Sequence, residues 1–179
     1  MAFVSTIRKC DKVLSPWVSI RESTVVDERG GEELYHSLVC NDYVCVLPFV
    51  SDNELLMVRQ YRPAIGETTI EFPAGILEEG ELAIDCARRE LVEETGYRAQ
   101  QIEHFYSGFV DTGRMANKIH AFAASCLDEP STNTVVEAIE PIKVPANQVM
   151  SLLSGCHSLS LHVGLYCMFM MRGKSASSS

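Results

Sequence analysis

A chain of 179 residues with 46% apolar and 22% charged side chains fits one globular domain with a substantial core and leaves little room for a second. The formal net charge of -9 argues against sequence-independent binding of nucleic acid, because phosphate backbones attract clustered lysine and arginine, and the sequence has no such cluster. A phosphorylated ligand would need positive charge from another source.

The first part of the chain predicts a strand pair and then two central strands. Alternating residues at 17–24, turn-forming residues at 27–31 and an apolar run at 34–39 indicate a β-hairpin. The runs 43–50 and 54–61 are rich in valine, leucine and aromatic residues with little alternation, as in strands that are buried on both faces. We expect them to be core strands of a mixed sheet.

The middle of the chain predicts a short strand at 68–72 and a helix at 81–94, where good helix formers predominate. Gly96 stands where a C-terminal cap belongs. Because Ala83, Ala87 and Leu91 recur every four residues with Ile84 beside them, this stripe is predicted to face the core. The acidic residues of the helix are expected on another face.

The remaining elements are predicted as strands at 102–109, 118–126 and 135–144, a polar loop at 128–133, and helices at 146–153 and 160–171. The serine-rich tail, 173–179, is expected to be disordered.

The cysteines and the N-terminus indicate an intracellular protein. The seven cysteines lie singly, without a CxxC pair, which fits neither a disulfide scaffold nor a zinc site, so most are expected to be small core residues in a reducing compartment. The N-terminus lacks the apolar run of a signal peptide, and no stretch approaches the roughly 20 apolar residues of a membrane span. We expect a cytoplasmic location, with the nucleus as the alternative, and neither a membrane nor nucleic acid as partner.

Three carboxylates of the predicted helix suggest a metal site. Glu90, Glu93 and Glu94 stand at i, i+3 and i+4, so a helix places them on one face, where their charges repel unless a cation lies between them. Hard oxygen ligands on one face suit Mg²⁺, and Arg89 could pair with one carboxylate and fix its rotamer. The alternative is the acidic end of a solvated surface helix.

A longer pattern surrounds these carboxylates. From Gly75 to Tyr97 the chain carries G-x5-E-x7-R-E-U-x-E-E-x-G-U, where U is a bulky apolar residue, with Tyr97 as the one soft departure. This segment resembles the Nudix box. The resemblance implies an α/β/α sandwich with a mixed β-sheet, preceded here by an N-terminal β-strand region, in which the box forms a loop, a helix and a loop that hold the metal.

By the same resemblance Glu90 and Glu94 are the principal metal ligands, with Glu93 close to them and the Ala74 carbonyl completing the set. Gly75 is expected to permit a tight bend at the start of the loop. The implied cofactor is Mg²⁺, with Mn²⁺ as the alternative, and it would neutralise a diphosphate and lower the pKa of an attacking water.

The catalytic residues implied by the resemblance include a general base on a loop well after the box. The matching residue is Glu137, with Glu140 and Glu93 as rivals, and Arg89 belongs to the same catalytic set. For Glu137 the alternative is a solvated carboxylate on an edge strand.

Segments outside the box resemble the ADP-sugar pyrophosphatase branch of the family, most strongly at 59–63, 70–75 and 110–117. The implied substrate is a nucleoside diphosphate sugar, with ADP-ribose cleaved to AMP and ribose 5-phosphate as the first choice. Another nucleotide sugar, a dinucleotide or an oxidised nucleoside diphosphate is the alternative. A non-catalytic nucleotide-binding protein is a further alternative, although such proteins usually lack box carboxylates.

The branch implies a homodimer that exchanges its N-terminal strands. Residues 1–42 would be the exchanged region, 43–172 the hydrolase domain and 173–179 the tail. Trp17 and Tyr35 match aromatic residues that stack on adenine, and each stacked ring is worth about 1 to 3 kcal/mol in nucleic-acid systems.

The other candidate substrate-binding residues are Arg62, Glu71, Asp111 and Met115, and Arg62 could make bidentate bonds to a phosphate or ribose oxygen. Two departures leave the sugar open. The branch often carries basic residues a few positions after the second aromatic residue, whereas here Tyr35 is followed by His36, Ser37, Leu38, Val39 and Cys40, and the proline often found some fifteen residues after the box is absent.

Overall fold

The computed structural model describes residues 2–128, 138–155 and 160–175. The chain divides into two compact units, which are Met1–Asp42 with Gly108–Lys118, and Tyr43–Ser107 with Ile119–Ser179.

The first unit contains an antiparallel sheet in the order β1-β2-β3. Its strands are β1 (Phe3–Ser15), β2 (Val18–Asp27) and β3 (Glu32–Val39). The predicted hairpin is confirmed, because β2 and β3 pair in register and Asp27 accepts the amide protons of Arg29 and Gly31, each at 2.8 Å. Strand β1 was not predicted, and its residues are exposed from Phe3 to Leu14.

The second unit is built on a mixed sheet. Its strands are β4 (Tyr43–Ser51), β5 (Glu54–Arg62), β6 (Glu67–Glu71), β7 (Ala74–Ile76), β8 (Arg98–Phe109), β9 (Lys118–Asp128) and β10 (Ile139–Pro145). The order is β10-β5-β4-β9-β8, with β6 paired to β5 and β7 to β4. Strands β4 and β9 run parallel, whereas β4 and β7 are antiparallel, which confirms the predicted mixed sheet.

Helices cover both faces of this sheet, as the predicted α/β/α sandwich requires. They are α1 (Ala83–Thr95), α2 (Ala146–Ser154) and α3 (Ser160–Ser175). Successive side chains of a strand point to opposite faces. Val44 and Val46 of β4 pack in one cluster with Ala87 and Leu91 of α1, whereas the Phe49 ring lies 5.2 Å from that of Phe169 in α3. None of the helices described between residues 2 and 175 is long and apolar enough to cross a membrane.

The core confirms the predicted buried strands. Residues 44–47 and 55–58 are all at most 1% exposed. Helix α1 ends as expected, because Gly96 has a φ of 76° and its amide donates to the Val92 carbonyl at 2.8 Å. The prediction for Ile84 was wrong, since 38% of it is exposed in the first turn of the helix, where Ala83 is also only partly buried.

The expectation that most cysteines are core residues was also wrong. Cys45 and Cys86 are buried, but Cys10 and Cys126 are exposed and two others are intermediate. Cys10 lies on the exposed strand β1, and Cys126 interrupts β9 with a φ of 53°. Cys156 lies outside the described residues.

Candidate functional site

The candidate site is formed where the chain passes from one strand of the sheet to another. Strand β6 pairs with β5 up to Glu71, and β7 pairs with β4 from Ala74 onward. Phe72 and Pro73 make the crossing, and the Pro73 carbonyl accepts the Val46 amide proton at 2.8 Å. The backbone of 71–75 is thereby laid beneath α1.

Gly75 is required for a different reason from the one predicted. A Cβ atom at this position would lie 1.8 Å from the carboxyl carbon of Glu90 and 2.0 and 2.2 Å from its oxygens. The positive φ angles among the described glycines belong to Gly30, Gly66, Gly80 and Gly96, so no left-handed bend occurs at Gly75. The absent side chain makes room for the Glu90 carboxylate.

The principal carboxylates lie on the buried side of α1, next to the stripe of Ala87 and Leu91 that faces the core. Glu94 is 6% exposed, and its Oε2 accepts the Ala74 amide proton at 3.0 Å. The pKa of Glu94 is raised to about 7, chiefly by burial and also by the neighbouring charge of Glu90, against the lowering effect of the hydrogen bond from the Ala74 amide. Burial likewise raises the pKa of Glu90. Both side chains face β7, whose glycine leaves space for them.

Arg89 organises the acidic groups of the helix. Its guanidinium donates to both oxygens of Glu81 at 2.9 and 3.0 Å, to Glu90 at 2.6 Å and to Glu93 at 3.2 Å. A further bond reaches the Ile76 carbonyl at 3.2 Å. The predicted pairing of Arg89 with a carboxylate is therefore seen, and the planar guanidinium suits several acceptors at once.

Glu81 was missed as a functional residue by sequence reasoning. Its pKa is lowered to about 2, chiefly by the hydrogen bond from Arg89. The available signal was its fixed place in the motif, six residues after Gly75. Glu93, by contrast, has 49% of its side chain exposed, so the three motif carboxylates of the helix do not share one environment.

The site has the donors that a hard divalent cation uses. Within residues 2–128, 138–155 and 160–175 no three histidine, cysteine, aspartate or glutamate side chains close around one point. Two carboxylates nevertheless lie along β7, Glu94, which is buried, and Glu90, whose side chain is 12% exposed. Burial raises the pKa of both, and the charge of Glu90 also raises that of Glu94. A Mg²⁺ ion usually binds through a few carboxylates together with water and substrate phosphates, and this donor set fits that chemistry.

Arg62 and Glu71 form a partly buried pair beside the crossing, in which Glu71 is the buried partner. The Nε and Nη2 atoms of Arg62 donate to the two oxygens of Glu71 at 3.0 and 2.6 Å, and the Thr69 hydroxyl donates to Glu71 at 2.7 Å. Burial alone would raise the pKa of Glu71, but these hydrogen bonds outweigh it, so the pKa lies below its ordinary value. Glu71 therefore holds Arg62, whose side chain remains 41% exposed.

His162 of α3 is another residue that the sequence did not reveal. It is 0% exposed, and its Nδ1 accepts the Phe72 amide proton at 3.1 Å. A single histidine in an apolar helix gives no distinctive signal, because such a residue is usually part of the core.

The first unit brings together two of the predicted substrate-binding residues. Tyr35 and Met115 line one cavity of about 380 Å³ together with Lys9, Arg21 and Arg114. The Tyr35 hydroxyl donates to the Gly113 carbonyl, and the Arg114 guanidinium lies 4.4 Å from the Tyr35 ring centre.

Trp17 and Asp111 have other surroundings. Trp17 is 65% exposed in the turn between β1 and β2 and does not line that cavity. Asp111 shapes the loop that carries Met115, because its carboxylate accepts the Gly113 amide proton at 2.7 Å and its carbonyl accepts that of Met115 at 2.9 Å.

Two of the general-base candidates are Glu137 and Glu140. Glu137 lies outside the described residues. Glu140 is on β10, where its carboxylate accepts a hydrogen bond from the Arg59 guanidinium of β5 at 2.7 Å. Both Glu140 and Arg59 are thus engaged in a surface ion pair.

Several known proteins are similar to this chain in part of their sequence or in their fold. The chain is similar to an ADP-ribose pyrophosphatase of Bacillus subtilis, with 33% identity over 62% of this chain and 61% of that protein. An ADP-sugar pyrophosphatase of Mus musculus is 27% identical over 76% of this chain and 71% of that protein. A GDP-mannose pyrophosphatase of Klebsiella pneumoniae is 30% identical over 56% of this chain and 55% of that protein.

The chain thus spans about three fifths of the length of the Bacillus relative. A solved structure described as an ADP compounds hydrolase superposes on 98% of this chain and 96% of its own with a TM-score of 0.83 at 18% identity, a likeness of fold. Residues 41–153, more than half of the chain, match the NUDIX domain family. The motif at Gly75 to Tyr97, the mixed sheet and this match together place the chain in the Nudix family.

Proposed function

We propose that the protein is a Mg²⁺-dependent hydrolase that cleaves the pyrophosphate bond of a nucleoside diphosphate sugar, converting ADP-ribose to AMP and ribose 5-phosphate. The observation that carries this proposal is the carboxylate pair of buried Glu94 and largely buried Glu90, held against Ala74 and Gly75. The names of the Bacillus and mouse relatives support the substrate class. Mn²⁺ is the alternative metal.

Glu90, Glu94 and the Ala74 carbonyl would hold the metal, with Glu93 nearby. When bound, the metal supplies the positive charge that an acidic protein lacks for a diphosphate and lowers the pKa of a water. Arg89 fixes the rotamers of Glu90 and Glu93 through its hydrogen bonds, so that the carboxylates need not be ordered at each turnover.

Arg62 is proposed to bind the substrate. Glu71 engages its Nε and Nη2 atoms, so Nη1 is the atom that we assign to a phosphate or ribose oxygen. The charge-assisted pair fixes the plane of the guanidinium before the substrate arrives.

Glu137 is proposed as the general base. It would take a proton from the water whose oxygen attacks phosphorus, while the bond from phosphorus to the bridging oxygen breaks and the leaving phosphate takes the electron pair. The engagement of Glu140 by Arg59 favours Glu137 over its neighbour.

A homodimer with adenine stacked by Trp17 and Tyr35 is part of the proposal, with Asp111 and Met115 as further substrate contacts. The exposed apolar side chains of β1 and of its turn support a second copy as their partner, among them Val4, Ile7 and Val13 at 61, 58 and 72% exposure. Light scattering should give twice the chain mass, and a monomer at working concentration would contradict the exchange of 1–42.

A second candidate is another nucleotide sugar, because one relative is named as a GDP-mannose pyrophosphatase and no lysine or arginine occupies the five positions after Tyr35. The deciding experiment is a panel of ADP-ribose, other nucleoside diphosphate sugars, dinucleotides and oxidised nucleoside diphosphates, read by product mass. ADP-ribose is expected to be cleaved fastest, giving AMP and ribose 5-phosphate. Faster cleavage of GDP-mannose would assign that nucleotide sugar as the substrate instead. Binding of these compounds without hydrolysis of any of them would refute the proposal that the protein is an enzyme.

A further inference from the structure

His162 connects α3 to the segment that carries the proposed metal ligands. Its imidazole is fully buried, its Nδ1 accepts the Phe72 amide proton at 3.1 Å, and the two rings lie 5.8 Å apart. The only side-chain hydrogen bond that reaches the crossing at Phe72 and Pro73 from α3 within the described residues is this one.

The Phe72 amide needs a partner because of the sheet topology. The chain has left β5 after Glu71 and has not yet joined β4 at Ala74, so Phe72 lies outside both ladders. Pro73 has no amide proton, and its carbonyl is taken by Val46. A buried amide without an acceptor is strongly unfavourable, and His162 supplies the acceptor.

Packing alone does not explain a histidine at position 162, because burial of its polar ring is unfavourable. With Nδ1 as acceptor, a neutral imidazole carries its proton on Nε2, and Nε2 is buried without a hydrogen-bond partner in the described part of the chain. Burial lowers the pKa of His162 to about 4, which keeps the ring neutral and Nδ1 able to accept. A buried polar atom that lacks a partner is uncommon in native proteins and calls for an explanation beyond packing.

We propose that His162 is a positioning residue that fixes the backbone at Phe72 and thereby holds Ala74 and Gly75 against Glu94 and Glu90. The contacts lie close along the chain: the Ala74 amide binds the Glu94 carboxylate at 3.0 Å, and the Glu90 carboxylate fills the space above Gly75. A displacement of about 1 Å in such a segment can cost up to about a hundredfold in rate. The expected effect of His162 on kcat rests on the proposed function, whereas its expected effect on the backbone at Phe72 does not.

Two substitutions of matched shape separate the hydrogen bond from the packing. His162→Asn can place an acceptor oxygen where Nδ1 lies, whereas His162→Leu has a similar branched side chain and no acceptor. The control is Tyr166→Phe, because Tyr166 lies on the same helix, has its ring 5.9 Å from that of Phe72, and donates its hydroxyl to Ala146 at 3.3 Å. Each variant is compared with the wild-type full chain.

The first readout is kcat and KM per folded molecule, with the substrate that the wild-type protein cleaves fastest in the panel. His162→Leu should lower kcat between about tenfold and about a hundredfold with a smaller change in KM. His162→Asn should stay within about threefold of wild type, as should Tyr166→Phe. A role limited to stability would lower the melting temperature of His162→Leu and leave kcat per folded molecule unchanged, which would overturn the proposal.

The second readout is amide hydrogen exchange at Phe72, Ala74 and Gly75, which needs no substrate. These amides should lose protection in His162→Leu and keep it in His162→Asn and Tyr166→Phe. If the leucine variant does not fold, the asparagine variant decides, because loss of protection or of kcat with an acceptor present would overturn the proposal.

The exchange readout also separates this proposal from the proposed function. A wild-type protein that cleaves no nucleotide in the panel would refute the activity, and the exchange results alone would then decide the role of His162. Unchanged protection at Ala74 and Gly75 in His162→Leu would overturn it in either case.

Discussion

Gly75 and Glu90 meet so closely that the glycine has room for no side chain: a Cβ atom would lie 1.8 Å from the carboxyl carbon of Glu90. Since that carboxylate is also bound by Arg89 at 2.6 Å, it cannot move aside without giving up its ion pair. The first fixed residue of the motif is thus explained by the position of a later one.

Gly75→Ala should therefore displace the Glu90 carboxylate and lower kcat by about a hundredfold, since a displacement of about 1 Å can cost that much in rate. The matched control is Gly164→Ala, because nothing lies within 4 Å of a Cβ atom there and alanine is favoured over glycine in a helix by up to about 1 kcal/mol. The control should keep its kcat and gain slightly in melting temperature. Wild-type turnover in Gly75→Ala would show that the carboxylate position is not critical.

Acid sensitivity of the fold should depend on His162. Burial, reinforced by Arg62 and opposed by the charge of Glu71, lowers the pKa of this histidine from 6.5 to about 4. The unfolded chain then binds more protons than the folded chain between these values, so the contribution to stability is complete above about pH 6.5 and is lost as the pH falls toward 4.

From about pH 7.5 to about pH 5 this contribution amounts to a loss of about 2 kcal/mol in the free energy of unfolding. Denaturant titrations of wild type and His162→Asn should show that the asparagine variant loses about that much less, because asparagine does not titrate. Equal losses in the two proteins would mean that His162 is not kept neutral by burial.

The assignment of the general base can be tested by separate substitutions of Glu137 and Glu140. Glu137→Gln should lower kcat between about a hundredfold and about ten thousandfold, the usual contribution of a general base. Glu140→Gln removes an exposed ion pair with Arg59 and should change activity less than about threefold and stability by at most about 1 kcal/mol. The reverse pattern would identify Glu140 as the general base.

Much of the second unit could be predicted from local sequence. Continuous apolar runs predict strands β4 and β5, because both faces of these strands are buried. Helix α1 is indicated by its repeat of Ala83, Ala87 and Leu91 and by the capping glycine Gly96. The site carboxylates follow from the spacing of the motif.

The rest depends on contacts between distant residues. Strand β1 buries neither face, so its sequence lacks the alternation that marks most strands. Ile84 has the periodicity of a core residue, but it lies in the first turn of helix α1 and is 38% exposed. The engagement of Phe72 by His162 joins residues 90 positions apart, and no local pattern encodes it.

The most direct test of the account is the binding of Mn²⁺ to the full chain, measured by paramagnetic resonance of the free ion during titration, with wild type, Glu94→Gln and Glu103→Gln compared. Glu94→Gln keeps an oxygen that can accept the Ala74 amide proton but removes the charge, whereas Glu103 is an exposed glutamate with 68% of its side chain accessible. Glu94→Gln should lose at least about tenfold in Mn²⁺ affinity and nearly all hydrolysis of the nucleotide sugar, while Glu103→Gln should match wild type. Unchanged Mn²⁺ affinity and turnover in Glu94→Gln would contradict the central claim that this buried carboxylate holds the metal.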